Sequence, residues 1–544
     1  MTISLSTTQT FYLEEGLRGL PRLMGMVNLN PLSSSYGCFD RAYWHYRVVD
    51  FPSGSYQYTV LAVALAYQIK ALGNVLYQND SAKEIVSAAI SFAEKSSHPE
   101  GSCDDYYLNE KAAGATAFSL YALTEAFLLL ELDRTEFHSF FQKRADWLIH
   151  NNEPYPLSNH QALIALGLWN VFLITGKEKY RQKADEKIRD TLSLYCDEGW
   201  FKEYGGLDAG YLTFTINFLA KYYQKTEQER LMDPLRRAIE MAAYFCHPDG
   251  SYGGDYGSRS CATFLCHGLE ILADKAPMAT ALADQYVEGF LKGKNVYPED
   301  DRNIFLIVTD RLQSYLDFSP SRQSWRKKED GTYYFQEAGI VVHKTPRAYW
   351  VISGKKAGAN RFFLDDQNIH NDCGFIGKLS RGPLIATFSS DSFCYNQKAA
   401  TVVVKGEFAI VKRDRAMNDW RVLLFKYCMF LIGGIPGISK RIKSFLTCWL
   451  ITSPSQVPVS FERTFFLREP YRVQNTLSLR KGKVKLDRLY WAHHVSFAYV
   501  AASQFFEESA LQPWRDLSPK LKDLHENSFL SWDQVFPLHH QHCD

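Results

Sequence analysis

CDEGWFKEYGG, residues 196–206, is a glycine- and aromatic-rich turn set between two apolar stripes of helical period. It has two counterparts, HPEGSCDDYY (98–107) and HPDGSYGGDYG (247–257). The anchor glycines are Gly101, Gly199 and Gly250, so one spacing is about fifty residues and the other about twice that. One copy is missing near residue 150, where NNEPYPLSNHQ stands instead. Each unit has room for two helices and a turn. A helical hairpin cannot bury both faces alone, so such units stack. Outer–inner pairs wound about an axis give an α/α toroid, expected over residues 58–325 and expected to be incomplete. The turns would then gather at one end, where a cleft opens.

Outward from the repeat, apolar residues at three-to-four spacing run from about residue 58 to 295, as in QALIALGLWNVFLI, YLTFTINFLAKYY and CATFLCHGLEIL. Residues 1–57 read as an irregular aromatic segment packed on the toroid. After about residue 330 the period changes. YYFQEAGIVVHK, AYWVISGKK, TVVVKGEFAIVKR, SFERTFFL and VSFAYVAA are β-branched and aromatic, punctuated by Gly, Pro and Asn. The period predicts an antiparallel β-sandwich over 326–544, entered through the linker RKKEDGT (326–332). The fold class is therefore multidomain α+β.

The chain has 544 residues, 46% hydrophobic and 15% aromatic, which supplies large cores and argues against long disorder. A net charge of +1 gives no global field for steering a polyanion, so an anionic substrate must be met locally. Nucleotide-binding glycine loops, zinc fingers and RNA-binding signatures are absent from the sequence. The 11 cysteines are scattered without a Cys-x-x-Cys, which reads as reduced buried thiols. MTISLSTTQTFYLEEGL lacks the basic end and apolar core of a signal peptide. The expected location is cytoplasmic, at the inner membrane surface, with a periplasmic location as the alternative.

The turns carry the candidate chemistry. Asn159 and His160 replace the missing turn; Ser158 or Asn159 could equally cap the helix that follows. Tyr204 and Tyr211 sit in the next turn, and Tyr252, Tyr256 and Arg259 in the one after. An amide, an imidazole, phenols and a guanidinium around one groove suit removal of the proton α to a sugar carboxylate. The carboxylate charge must be masked so that the enolate-like intermediate is tolerable. A neutral His or a Tyr can then act as base, and a Tyr as acid toward the departing O4. No metal or organic cofactor is required.

These residues resemble the heparinase II/III-like and alginate-lyase-like polysaccharide lyases, over roughly residues 36–500. The resemblance rests on SNHQA, DEGWFKEYGGLDAGY, GSYGGDYGSR, the segment YGCFDRAYWHYRVVDFP and, in the β half, DDQNIHNDCGFIGKLSRGPLIA. It implies an α/α toroid followed by antiparallel sheets. Asn159 would neutralise the carboxylate, His160 would be the base or assist it, and Tyr211 would be the base or acid with Tyr204 as fallback. His370, from the β domain, would close the cleft. Arg259 and Tyr256 would bind substrate, and Tyr43, Trp44, His45 and Arg47 would line further subsites. Where the family pattern has a first His and a downstream acid, this chain has Asn368 and Thr387. No metal is therefore expected there, and His539, His540, His542 and Cys543 read as a frayed tail.

The implied function is β-elimination of a uronate-containing polysaccharide. A uronyl C5-epimerase acting during glycan biosynthesis, and a non-catalytic glycan-binding protein, are the alternatives. The partner is an anionic uronate-containing polysaccharide or oligosaccharide, not nucleic acid. One further segment stands apart. From Arg421 to Phe461 there is no Asp or Glu, while RVLLFKYCMFLIGGIPGISKRIKSFLTCWLI mixes apolar and basic residues. Peripheral membrane contact through 421–448 is one reading, and an insertion packed on the sandwich is the other.

Overall fold

The computed structural model describes residues 6–151, 157–295, 300–324, 328–411, 419–435, 437–447, 455–480, 484–493 and 511–536. VSFAYVAA, part of the linker and the C-terminal His/Cys tail lie outside them. Among the described residues the first half holds α1 (Thr7–Met24), α2 (Arg41–Trp44), α3 (Val60–Gln68), α4 (Asp80–Ser96), α5 (Ala113–Leu129), α6 (His138–His150), α7 (Ser158–Thr175), α8 (Glu178–Ser193), α9 (Ala209–Thr226), α10 (Met232–Ala242), α11 (His267–Ile271), α12 (Pro277–Leu291) and α13 (Ile304–Leu316).

Six of these form an inner ring in which α3, α5, α7, α9, α11 and α13 each pack on the next. The ring closes, because α13 packs on α3. The N-terminal segment is not irregular throughout. Its helix α1 buries Phe11, Tyr12, Leu20 and Leu23 and lies along α13 as the outer member of the last pair. The approach is close: a Cβ on Gly16 would stand 2.6 Å from Leu312 Cδ2.

The repeated glycines have one physical cause. Gly101, Gly199 and Gly250 have φ of +97°, +91° and +88°, a region that disfavours a side chain. Each also lies against an outer helix, where a Cβ would come within 2.6–2.7 Å of Arg144 N, Arg237 O or Gly289 Cα. The turn therefore locks each hairpin to its neighbour.

CATFLCHGLEIL is only partly helical. Residues 261–266 form no regular element and lie beside α9, with Gly210 N donating to Cys261 O at 3.1 Å. Helix α11 begins at His267, where Asp310 of α13 accepts from Cys266 N (2.9 Å) and His267 N (3.1 Å). A carboxylate from the neighbouring helix caps this N-terminus, which local periodicity cannot reveal.

A small hairpin, β1 (Tyr195–Cys196) and β2 (Trp200–Phe201), turns at Gly199. The C-terminal half is a sandwich of two antiparallel sheets. One is β3 (Gly331–Phe335), β4 (Ile340–Lys344), β5 (Ala348–Ser353), β6 (Asn360–Leu364) and β7 (Gln367–Asp372), paired in sequence order. The other contains β8 (Gly374–Leu379), β9 (Leu384–Ala386), β10 (Ser392–Asn396), β11 (Thr401–Ile410), β12 (Gln456–Phe466), β13 (Arg472–Leu479), β14 (Leu486–Ala492), β15 (Trp514–Asp516) and β16 (Phe529–Val535). Its order is β15-β14-β8-β9-β11-β12-β13-β16, with β10 beside β11.

The smaller sheet is buried on both faces. Ile340, Val342, Tyr349, Val351 and Phe363 belong to the toroid core. Val341, Trp350, Ile352, Phe362 and Leu364 belong to the sandwich core. Alternate side chains of one strand thus serve two cores, which explains the near-continuous apolar runs of β4–β6.

Between β11 and β12 the chain makes two helices, α14 (Asp419–Ile432) and α15 (Ile438–Thr447). They dock on the toroid: Asn109 Nδ2 donates to Met429 O at 3.0 Å, and Ser439 Oγ donates to Glu110 O at 2.8 Å.

Candidate active site

All the repeated turns precede inner helices, so they assemble at one end of the ring. The geometry there starts from Glu203, which sequence reasoning missed. Its carboxylate is buried, and Oε1 accepts from Ser158 Oγ (2.5 Å), Asn159 N (2.8 Å) and Asn159 Nδ2 (2.9 Å). The cap of α7 is therefore neither Ser158 nor Asn159 but a carboxylate from the next turn. Helix α7 begins at Ser158, and Glu203 stands where the helix dipole favours negative charge. Burial pushes the Glu203 carboxyl above its ordinary value, against the pull of these hydrogen bonds and of nearby His160. Asn159 is 1% exposed, and its Oδ1 has no hydrogen-bond partner. His160 is half-buried, its ring edge-on to Phe118 at 6.0 Å. Of the turn before it, residues 152–156 lie outside the described residues.

Tyr204 sits at the tip of a tight hairpin. Glu203 and Gly206 exchange backbone hydrogen bonds of 2.9 and 3.1 Å. Between them Tyr204 has φ +51° and Gly205 φ +81°. Two left-handed residues in a two-residue loop make a type I′ turn, whose first central position favours Asn or Gly. A tyrosine there is strained, and strain of this kind marks functional positions.

The Arg259 guanidinium lies 4.6 Å from the Tyr204 ring, and its Nε has no hydrogen-bond partner. Arg259 is aimed by its backbone: Asp208 Oδ2 accepts from Arg259 N at 2.8 Å, while Oδ1 caps α9 by accepting from Tyr211 N at 3.2 Å. One buried carboxylate thus ties the 250s turn to the start of α9. Tyr211 lies 6.0 Å from Tyr204 between ring centroids. Burial pushes its phenol well above the usual value, with Tyr204 and Cys261 adding to the effect and Arg259 opposing it. Tyr211 therefore keeps its proton near neutral pH.

The β domain contributes Lys356, also missed. Its Nζ reaches across to Gly257 O (2.9 Å) and Ser260 Oγ (2.5 Å), bracing the turn that carries Arg259. Burial lowers this ammonium, offset by Asp255, Cys373 and Asp208. Neither Glu203 nor Lys356 has a motif; only its position beside a glycine turn hinted at either.

Two expected site residues lie elsewhere. Tyr256 is 3% exposed, and its phenol pairs with His247 Nε2 at 3.0 Å inside the core. His247 stacks on Phe363 at 4.7 Å, and burial drives it well below the usual imidazole value, so the pair is neutral packing, not a substrate contact. His370 does not close the cleft. Its ring packs among Trp491, His493 and Phe536, and Nε2 is 3.6 Å from Asp372 Oδ2. Burial alone would raise Asp372, but Arg463, helped by His370, holds that carboxyl below the usual range. Asn368 is exposed and donates to Asn371 Oδ1 at 3.0 Å. Thr387 Oγ1 accepts from Phe375 N at 2.9 Å.

Tyr43, Trp44, His45 and Arg47 occupy α2 and the residues just after it. Tyr43 and Trp44 are half-buried, His45 and Arg47 exposed. Trp44 Nε1 donates to Met26 O at 2.8 Å. The segment joins the turn end through Asp40, which accepts from Ser53 N, and Ser53 Oγ, which donates to Asp105 Oδ1 at 2.5 Å. Among the described residues no three His, Cys, Asp or Glu side chains are grouped as metal ligands.

Residues 64–262, which carry Asn159, His160, Tyr204, Tyr211 and Arg259, match the model of the ulvan lyase N-terminal domain. A chondroitin AC lyase of Streptomyces coelicolor A3, solved in complex with chondroitin sulphate, shares the fold. The likeness covers 90% of this chain and 69% of that one, at 9% identity and a TM-score of 0.53. Heparinase III is similar over 99% of this chain and 84% of its own, at 12% identity and a TM-score of 0.49. No curated protein matches the chain. The helical domain is thus similar to that of ulvan lyase, and the toroid-plus-sandwich fold is shared with the chondroitin AC lyase.

Proposed function

We propose that the chain is a polysaccharide lyase acting on a uronate-bearing glycan, and that the turn cluster carries the elimination. The observation that supports this is the convergence of Asn159, Tyr204 and Arg259 at one end of the ring. There Asn159 Oδ1 and Arg259 Nε are left without hydrogen-bond partners. Buried polar atoms without partners are costly, and a ligand that supplies the bonds relieves the cost.

In this reading the uronate carboxylate accepts from Arg259 and from the second N–H of Asn159 Nδ2, whose first N–H Glu203 holds, while Asn159 Oδ1 accepts from a sugar hydroxyl. Masking its charge makes the C5 hydrogen removable. Tyr204, as phenolate, takes that proton, with Arg259 as counter-charge and His160 assisting. The C5 electron pair forms the C4=C5 double bond as the C4–O4 bond breaks. Tyr211, which holds its proton, donates it to the departing O4. The base assignment moves from Tyr211 to Tyr204 because burial holds the Tyr211 phenol protonated, while Tyr204 is presented on a strained turn tip beside the Arg259 guanidinium.

The test is incubation of the full chain with a panel of uronate polymers. Absorbance of the unsaturated uronate is read while C5 exchange is followed in heavy water. New absorbance is expected. Exchange without absorbance would replace elimination by epimerisation, and neither signal, with measurable binding, would reduce the site to glycan recognition.

A further inference from the structure

Helix α14 has two apolar faces, and only one is used. Val422, Phe425 and Met429 face the toroid, with Met429 1% exposed and Phe425 5.1 Å edge-on to Tyr107. On the opposite face Trp420, Leu423, Leu424, Tyr427, Phe430 and Leu431 are all 53–69% exposed. Their spacing of three and four residues at about 100° per residue makes them one continuous stripe. The hairpin extends it: Ile435 at the turn is 49% exposed and Phe445 on α15 is 65% exposed. A soluble surface rarely leaves so many large apolar side chains together.

The charge around the stripe is of one sign. Arg421, Lys426 and Arg441 are exposed beside it, and no Asp or Glu occurs between Trp420 and Phe461. No helix among the described residues is long and apolar enough to cross a membrane, so the pattern is one for lying on a surface. Aliphatic side chains flanked by cations complement acyl chains beneath anionic headgroups, and Trp420 and Tyr427 suit the boundary between them. A hydroxylated sugar polymer would leave Leu423, Leu424 and Leu431 unmatched.

We propose that the α14–α15 hairpin is a docking surface for an anionic lipid bilayer. It is hydrogen-bonded to the toroid through Asn109 and Glu110. The same loop bears Asp105, which pairs with Arg302 at 2.8 Å and with Ser53 at the turn end of the ring. Docking would hold that end of the ring beside the membrane. The surface is independent of the elimination chemistry, so the two are tested separately.

The experiment is co-sedimentation of the full chain with vesicles of phosphatidylcholine containing about one third phosphatidylglycerol, against phosphatidylcholine alone. Pelleting with the anionic vesicles is expected, weakened about tenfold or more on neutral lipid or at high salt. The double variant Leu423→Glu/Phe430→Glu, at exposed positions, should lose about tenfold or more of the binding with an unchanged circular dichroism spectrum and unchanged activity on soluble polymer. Equal binding of variant and parent, or equal binding to neutral and anionic vesicles, would overturn the proposal. So would a parent chain that stays in the supernatant and self-associates through the stripe in sedimentation velocity.

Discussion

At the far end of the ring from the turns, Lys221 donates to Gln313 Oε1 at 2.8 Å, Lys225 pairs with Glu125 at 3.0 Å and His267 with Asp317 at 2.6 Å. At the turn end, Asn159 Oδ1, Glu203 Oε2 and Arg259 Nε are buried without hydrogen-bond partners. Both ends are polar, and both lie on the same inner helices. The floor cavity, of about 220 Å³, answers each charge with an opposite or polar neighbour. The mouth leaves acceptors and donors open, and adds a tyrosine on a strained turn. Polarity in a helical ring therefore does not by itself mark a site. At the floor His267 Nδ1 lacks a partner, whereas at the mouth three such atoms gather beside a tyrosine on a strained turn.

The sharpest way to break this contrast is Tyr204→Phe. It should lower turnover by about 10²–10⁴-fold with the thermal transition unmoved. Normal turnover in Tyr204→Phe together with loss in Tyr211→Phe would return the base role to Tyr211. Asn159→Ala should cost about 10²–10³-fold in kcat, measured by the same absorbance assay, because carboxylate masking acts on the developing charge. At the floor the expectation reverses. Glu125→Gln leaves Lys225 underpaired and should destabilise by about 1–3 kcal/mol in urea titrations, with kcat unchanged. A kcat change there would mean that the floor takes part in the chemistry.

The smallest effect is a pH dependence. Burial pushes Lys221 down to about 8, below its value in an unfolded chain. Between that pH and the ordinary lysine range the unfolded chain binds more protons than the folded one, so stability rises with pH there and is lost as pH falls through about 8. Lys221→Met should remove this slope in denaturation measured from pH 7 to 10. An unchanged slope would assign it to another group.

Much of the site was legible because the repeat was legible. Gly101, Gly199 and Gly250 marked the turns, and the turns led to Asn159, His160, Tyr204, Tyr211 and Arg259. The repeat could not say which way a side chain points. Tyr256 shares a turn with Arg259, yet its phenol enters the core to meet His247. His370 lies in a sheet with apolar residues on both faces, so alternation along the strand gave no outward side. Glu203 stayed invisible because a carboxylate beside glycines is ordinary, and its three hydrogen bonds come from a segment about forty-five residues earlier.

The sequence by itself determined the two halves, because helical and strand periods are local and each must bury its own stripe. It determined the location of the mouth, because glycine turns recur before each inner helix. Tertiary structure alone decided that α13 closes the ring on α3 with α1 laid along it, that Asp310 caps α11, and that Glu203 caps α7 and orients Asn159. Those are contacts between segments far apart in the chain, made by side chains whose type does not announce a partner. It also decided which face of α14 stays exposed, since both faces are apolar and only docking on Tyr107 and Asn109 chooses between them.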